Sequence, residues 1–398
     1  MLPVEMAKDV YWVGVNDRTT DLFEGIWPID QGVTYNAYLL RNEKTALIDP
    51  VRISKVQRLI EQLEAVCEPT DIDYLILNHM EQDHTGSLNV LRSIMPDTTI
   101  VGTEKTRDML ESFYGITENV EVVEDGDTLN LGDVELTFLS TPFVHWPETM
   151  MTFEADRGIL FSGDGFGLFG ALRGGLFDDQ VRDWAFYESE GLRYYANVVA
   201  KYSRPLIKVL DQFSDVELEM VAPSHGLVWR EDPGRIVQMY ETWASYSEGP
   251  AEPEITIVYG SMYGFTERMM NAVAQGASET GVPVEIFDAG RIHDSYILSS
   301  LWERQGVLVA APTYEGELFP PVSAALQKAV TKLAKNRTYA VVGSHGWRGG
   351  AFREIDELVE PLKWDKVDEL EFTGKPTRED LQEGRKLGAR LAQRIGER

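Results

Sequence analysis

The chain has 398 residues, 43% hydrophobic and 26% charged, with 37 Lys and Arg against 65 Asp and Glu for a formal net charge of -28. This is the composition of a globular chain of about two or three domains, and its acidity disfavours nucleic acid or an anionic membrane surface as a partner, both of which reward clustered Lys and Arg. One cysteine, Cys67, excludes an internal disulfide framework, a Cys-ligated iron–sulfur cluster and a four-thiolate metal centre, so any metal must be held by nitrogen and oxygen.

Short β-type runs open the chain at 10–15, 34–40 and 45–48, the last two joined by Asn42-Glu-Lys44 as a hairpin turn. Residues 55–63 have helical spacing, with Val56, Leu59, Ile60 and Leu63 on one side. The apolar run Tyr74-Leu-Ile-Leu77 reads as a buried strand and feeds directly into Asn78-His-Met-Glu-Gln-Asp-His-Thr-Gly86, before helical spacing resumes over 87–94. His79, Glu81, Asp83 and His84 therefore share one strand-to-helix loop, where α/β scaffolds present their chemistry. A strand over 99–101, a helix over 104–112 capped by Thr103, and strands over 119–123, 134–139, 149–153 and 159–162 follow. Many short strands with interspersed helices predict an α/β domain with a two-layered β core and helices outside; doubly wound βαβ repeats fit it poorly. No leader and no apolar run of about 18 residues occurs, so a soluble, cytoplasmic protein without a membrane span is expected.

Three further ligand-type residues sit in Gly- and Pro-bearing loops after strands: His145 in Thr141-Pro-Phe-Val-His-Trp-Pro147, Asp164 in Phe161-Ser-Gly-Asp-Gly-Phe166, and His225 in Val221-Ala-Pro-Ser-His-Gly226. Only six histidines exist in the chain, and four of them fall in such contexts. Four imidazoles and three carboxylates can give two ions roughly four ligands each, divided as His79, Glu81 and His145 on one, Asp83, His84 and His225 on the other, and Asp164 shared. Three carboxylate charges with a hydroxide bridge neutralise two divalent ions, so the site can change redox state without a large buried charge. Iron or manganese suits this mixed ligation, and zinc is the redox-silent competitor. Helical stretches follow over 183–202, with Tyr187, Tyr194 and Tyr195, over 206–213, and from Pro233 to about Tyr246.

The order His-x-Glu-x-Asp-His, distant His, distant Asp, distant His resembles the metallo-β-lactamase-like fold, an αββα sandwich, in the version found in flavodiiron proteins. Hydrolases of that fold usually have His where this chain has Glu81, and the anionic exchange favours iron over zinc. The resemblance implies that all seven residues ligate a diiron site, with His84 at a position that varies within the family, and that Tyr195 stands near the metals.

Glu248-Gly-Pro-Ala-Glu-Pro-Glu254 is a proline-punctuated joint that predicts a boundary, with domains over 1–249 and 250–398. Beyond it, strand 255–259 runs into Gly260-Ser-Met-Tyr-Gly-Phe-Thr266 and a helix over 267–279, a phosphate cradle of loop amides and the Ser261 and Thr266 hydroxyls. Strands 284–288, 307–311 and 339–343 alternate with helices 294–302, 322–334 and 377–395, as in a doubly wound parallel sheet. The loops leaving its central strands carry Tyr314 and Trp347, able to flank a planar ring. This half resembles flavodoxin with FMN as cofactor. Ser261, Met262, Tyr263, Gly264, Phe265 and Thr266 match the phosphate loop; Pro312, Thr313, Tyr314, Glu315 and Gly316, with Ser344, His345, Gly346, Trp347 and Gly349, match the two loops around the isoalloxazine.

Together the two resemblances imply an oxidoreductase that reduces O2 to water or NO to N2O at two non-haem iron ions, with electrons delivered through FMN. They also imply an external donor, a rubredoxin-like protein or a reduced deazaflavin coenzyme, and a head-to-tail homodimer or dimer of dimers. The chain ends without the Cys-x-x-Cys pairs of a fused rubredoxin module. Two other readings stay open at this point: a dinuclear zinc hydrolase fused to a flavodoxin-like carrier, and a non-catalytic carrier or gas-sensing module.

Overall fold

A computed structural model describes residues 1–213 and 216–397. The chain divides into two units, Met1–Tyr195 with Tyr202–Glu241, and Ala196–Lys201 with Thr242–Arg398.

The first unit is a β-sandwich. Its seven-stranded sheet runs, in spatial order, Val4–Ala7, Val10–Trp12, Tyr38–Leu40, Ala46–Ile48, Tyr74–Ile76, Thr99–Gly102 and Val120–Val122. The first four pair antiparallel and the rest parallel. The five-stranded sheet runs Thr128–Asn130, Glu135–Ser140, Met150–Glu154, Ile159–Gly163 and Met220–Pro223, antiparallel except for the last pair. Ala46–Ile48 and Ile159–Gly163 are buried at every residue, as strands covered on both faces must be. Tyr38 bridges the layers: its ring lies 5.2 Å from that of Phe161, and its hydroxyl donates to the Pro223 carbonyl at 2.6 Å. Outside the strands, helix Glu104–Tyr114 starts where the Thr103 hydroxyl accepts the Thr106 N–H, as its sequence predicts.

In the second unit five parallel strands lie in the order Val284–Asp288, Glu252–Tyr259, Arg304–Ala310, Thr338–His345 and Asp365–Thr373. Ile255, Ile257, Leu308, Ala340 and Val342 meet Met269, Val273, Leu387 and Leu391 of helices Phe265–Ser278 and Arg378–Gly396 in one core cluster. Those helices touch through glycine, since a Cβ on Gly388 would stand 1.9 Å from the Val273 carbonyl oxygen. Alternate strand residues face the other way, where Thr256 donates to the Ser300 carbonyl of helix Asp294–Glu303 at 3.0 Å.

Several elements differ from the sequence expectation. The run 10–15 breaks into Val10–Trp12 and Val15–Asp17, and Val4–Ala7, Thr128–Asn130 and helix Ala351–Val359 are additional. The joint expected over 248–254 is shorter, because Glu252 already pairs with Arg304 at the start of its strand. The fifth parallel strand, Asp365–Thr373, lies at the sheet edge, and its charges explain why its pattern does not read as a strand: Asp365, Lys366 and Asp368 pair with Arg394, Asp356 and Arg390. Among the described residues, no helix is long and apolar enough to cross a membrane.

Candidate metal centre and cofactor cavity

The loop after strand Tyr74–Ile76 is pinned between the two sheets. Asp49, buried, accepts the Asn78 backbone N–H at 2.8 Å and its side-chain amide at 2.9 Å, while Thr152 donates to the Asn78 side-chain oxygen at 2.8 Å. This fixes the backbone just before His79. The one-turn helix Gln82–Thr85 then carries Asp83 and His84, and the Thr85 hydroxyl ties it back to the Met80 carbonyl at 2.9 Å. Asp164 sits in the turn leaving Ile159–Gly163, closed by the Ser162 hydroxyl on the Gly165 carbonyl at 2.6 Å. His225 follows strand Met220–Pro223, and its Nδ1 lies 2.6 Å from the Thr34 carbonyl, which makes Nδ1 the donor and leaves Nε2 free.

These loops bring all seven predicted side chains together. His79, Glu81, His145 and Asp164 form one group and Asp83, His84 and His225 another, each with its ligand atoms within 4.8 Å of one another. Asp164 faces both groups. Its Oδ2 lies 3.0 Å from His145 Nε2 and 3.7 Å from His79 Nε2, and its Oδ1 lies 3.0 Å from His84 Nε2 and 3.3 Å from His225 Nε2. Glu81 Oε2 stands 3.3 Å from His79 Nε2 and 3.4 Å from His145 Nε2, and Asp83 Oδ2 stands 3.2 Å from His225 Nε2.

The donor set fits two cations. Both Asp83 oxygens, Asp164 Oδ1, His84 Nε2 and His225 Nε2 are buried and make no hydrogen bond, although each has an oppositely polar atom nearby, because the atoms converge on common points instead of aligning with each other. The electrostatics agree. Burial alone would raise the Glu81 carboxyl, but the His145 and His79 rings hold it down to about 2. Burial would lower the imidazoles, yet Asp164 and Glu81 raise His145 to about 9, and Asp164 and Asp83 raise His225 to about 10. Asp164 itself is held well below the carboxylate range against its burial, by His84, His145 and His225. A pair of cations would take the place of those protons.

Three features were not legible from ligand spacing. Glu148, buried, accepts from His79 Nδ1 at 2.8 Å and from the Met80 N–H at 2.9 Å; its one signal is its place three residues after His145 in the same loop. Asp49 supports Asn78 as described. The tyrosine beside the cluster is Tyr194, whose hydroxyl donates to the Asp164 carbonyl at 3.3 Å and whose ring lies 5.8 Å from that of His225. Tyr195 instead shares a hydrogen bond of 2.7 Å with Ser203 and packs edge-on against Tyr240. Neighbours on a helix point about 100° apart, so one of the two can face the cluster.

A cleft of about 340 Å3 reaches the cluster on the side of Glu81 and Asp83, the two least buried of the seven side chains, and Phe23, Tyr35, Arg52 and Tyr114 line it. Arg52 donates to the Tyr35 hydroxyl at 3.1 Å, and burial together with the Asp83 charge pushes that phenol up to about 12, so it keeps its proton at neutral pH.

In the second unit, a cavity of about 640 Å3 opens where the central strands end. Ser261, Met262, Tyr263, Phe265 and Thr266 form one wall, Pro312, Thr313, Tyr314, Glu315 and Gly316 a second, and Ser344, His345, Gly346 and Trp347 a third; Arg348 and Gly374, not expected from the sequence, complete it. Gly264 turns the first loop with φ 86°, a left-handed conformation, and its N–H is accepted by the Ser261 hydroxyl at 3.1 Å. Gly349 instead packs against Glu371, whose Oε1 a Cβ there would meet at 2.3 Å. Of the two aromatic side chains expected to flank a planar ring, Trp347 is 94% exposed and Tyr314 40%.

Residues 33–226 match the ODP family beta lactamase and residues 257–388 match flavodoxin. The chain is 34% identical over 403 residues to a nitric oxide reductase of Moorella thermoacetica, with 99% of each covered. Its structure is similar to the rubredoxin oxygen:oxidoreductase of the anaerobe Desulfovibrio gigas, with a TM-score of 0.94, 28% identity and 99% of each chain covered. It is likewise similar to the flavodiiron protein of Giardia intestinalis, with a TM-score of 0.95, 29% identity, and 100% of this chain and 97% of that one covered. A buried histidine–carboxylate cluster of diiron type and an FMN-binding flavodoxin fold, carried on one chain that matches these proteins from end to end, place it in the flavodiiron family of oxidoreductases.

Proposed function

We propose that the protein reduces O2 to water, NO to N2O, or both, using electrons that an external donor delivers through FMN. One observation carries this reading: Asp164 offers one oxygen to each of two histidine–carboxylate groups, 3.0 Å from His145 on one side and 3.0 Å from His84 on the other. His79, Glu81, Asp83, His84, His145, Asp164 and His225 are the proposed iron ligands, within residues 1–249. The loops at Ser261–Thr266, Pro312–Gly316 and Ser344–Trp347 are the proposed FMN contacts, within residues 250–398.

Two ferrous ions with reduced FMN hold four electrons, the number that turns O2 into two waters, and two of them suffice to join two NO into N2O and water. The residues supply the rest. The anionic Glu81, Asp83 and Asp164 offset cationic charge in a buried site. Leu22, Phe23 and Ile53 give the cleft apolar walls that suit a small, weakly polar gas, and Tyr35 holds a proton at its hydroxyl beside Asp83. In the flavin cavity, amides of the 261–266 loop and the Ser261 and Thr266 hydroxyls would hold the phosphate, and Tyr314 and Trp347 would flank the ring.

The name of the Desulfovibrio relative supports a rubredoxin-like donor and O2 as substrate, and that of the Moorella relative supports NO. A reduced deazaflavin coenzyme is the alternative donor. We propose a cytoplasmic head-to-tail homodimer or a dimer of such dimers, which sedimentation of the FMN-loaded protein measures. The decisive test is metal and flavin analysis of the purified protein, then consumption of O2 and of NO with one common reductant in anaerobic cuvettes. Two irons and one FMN per chain with multiple turnovers of either gas are expected. Stoichiometric zinc with no gas consumption would overturn the assignment.

A further inference from the structure

The two groups that Asp164 joins are closely matched. Each offers two imidazoles and one carboxylate of its own, and Asp164 gives one oxygen to each. What distinguishes them lies behind the rings. His79 Nδ1 meets a carboxylate, Glu148 Oε1, at 2.8 Å, whereas His225 Nδ1 meets the neutral Thr34 carbonyl at 2.6 Å and His84 Nδ1 makes no hydrogen bond among the described residues. Among the described contacts, His79 is the one imidazole of the four whose Nδ1 is paired with a carboxylate.

Glu148 is 1% exposed. Its Oε1 accepts from both His79 Nδ1 and the Met80 N–H, while Oε2 is buried and makes no hydrogen bond; the residue also lines a separate cavity of about 410 Å3. Lys105, which lines the same cavity, donates to the Pro147 carbonyl at 3.3 Å. The other buried carboxylate beneath this loop, Asp49, gives its two oxygens to Asn78.

We propose that Glu148 makes the two metal positions unequal: its carboxylate holds His79 with Nε2 turned to the metal and stabilises the oxidised state of the ion bound by His79, Glu81 and His145 over that of the ion bound by Asp83, His84 and His225. This inference rests on the diiron reading above. A carboxylate accepting the outer N–H of a ligating imidazole fixes its tautomer and raises its basicity, and its charge attracts a ferric ion more strongly than a ferrous one. When the ion at the His79 position takes one electron, part of that attraction is lost, so reduction there is disfavoured. The ion at the His225 position takes the first electron and the ion at the His79 position the second. Glu148 is a positioning residue; it touches neither substrate nor metal.

The test is a mediated reductive titration of the iron-loaded, FMN-loaded full chain with dithionite, followed by electron paramagnetic resonance of the half-reduced iron pair. E148Q keeps a side-chain oxygen able to accept from His79 and Met80 and removes only the charge. The second reduction step of E148Q is expected to shift upward by at least tenfold in its equilibrium constant, about 59 mV for one electron, with a smaller shift in the first, so the half-reduced signal loses amplitude. If E148Q fails to hold iron, E148D takes its place. The shorter side chain draws the charge away from the ring, and a smaller shift of the same sign is expected. Wild-type protein without two irons per chain would overturn the diiron reading itself. Two irons per chain with both steps at wild-type potentials in the variant would overturn this inference alone.

Discussion

Asp164 Oδ2 lies 3.0 Å from His145 Nε2, although the two residues leave different strands and stand 19 positions apart. The contact closes one ligand group, and the other oxygen of Asp164 serves the second. Asp164→Asn keeps the shape and removes the charge common to both. It is expected to lower iron content from two to below one per chain and gas consumption by a factor on the order of 100 or more. Elemental analysis beside an oxygen or NO electrode measures this, and full iron retention would remove Asp164 from its shared position.

A second carboxylate contributes to the acid stability of the first unit. Burial would raise the Asp17 carboxyl, but Lys55 at 2.7 Å and the Thr20 and Thr19 hydroxyls hold it down to about 2, from an ordinary 3.8. A group lowered in the folded state binds its proton more tightly when unfolded, so its stabilisation is present above the unfolded value and is lost as pH falls toward the folded one. The shift is worth about 2 kcal/mol at neutral pH. Asp17→Asn is expected to lose that amount at pH 7 and to differ little from wild type near pH 2. Urea unfolding at the two pH values compares them directly, since the metal ligands titrate identically in both proteins.

The metal cluster was legible because its residue types are scarce and its positions regular: four of six histidines fall just after strands, in loops where Gly and Pro let the backbone turn sharply. The parallel sheet was legible from buried runs such as Ile255-Thr-Ile-Val-Tyr259. Glu148 was not, because one glutamate among 65 acidic residues carries no signal until folding brings it to His79. Asp365–Thr373 was not, because an edge strand can present charge along its length and loses the alternation that marks a half-buried one. The choice between Tyr194 and Tyr195 depends on helical phase, and the turn widens to a π-helix at Tyr195–Val199, just where that phase would have to be known.

Arg337 is a buried cation that holds the second unit together without a carboxylate. Its guanidinium donates to the Leu301 and Tyr246 carbonyls at 3.1 Å each, and to those of Lys335 and Trp302. Leu301 and Trp302 lie in the last turn of helix Asp294–Glu303, where carbonyls lack partners within the helix and a cation is favoured. Burial pushes Arg337 down to about 9, which still leaves it charged at neutral pH. Arg337→Met strands several buried carbonyls and is expected to cost about 3 kcal/mol or more. Arg337→Lys, without the planar fork, recovers only part of it. The temperature at which bound FMN is released and becomes fluorescent reports this loss.

Trp347 separates binding from stability. Its side chain is 94% exposed, so the fold gains little from packing it, yet it lines the cavity opposite the 261–266 loop. An exposed indole beside a cavity shaped for a planar ring stabilises the ligand-bound state alone, by about 1 kcal/mol through stacking beyond the area it covers. Trp347→Ala is therefore expected to weaken FMN binding by roughly tenfold, since about 1.4 kcal/mol corresponds to one factor of ten. The flavin-free protein should unfold at an unchanged temperature, because an exposed side chain distant from caps and buried groups contributes little to the folded state. Quenching of FMN fluorescence on titration with flavin-free protein gives the affinity, and calorimetry of the same sample gives the stability. Equal losses in both would mean that the indole packs against the protein and not against the flavin.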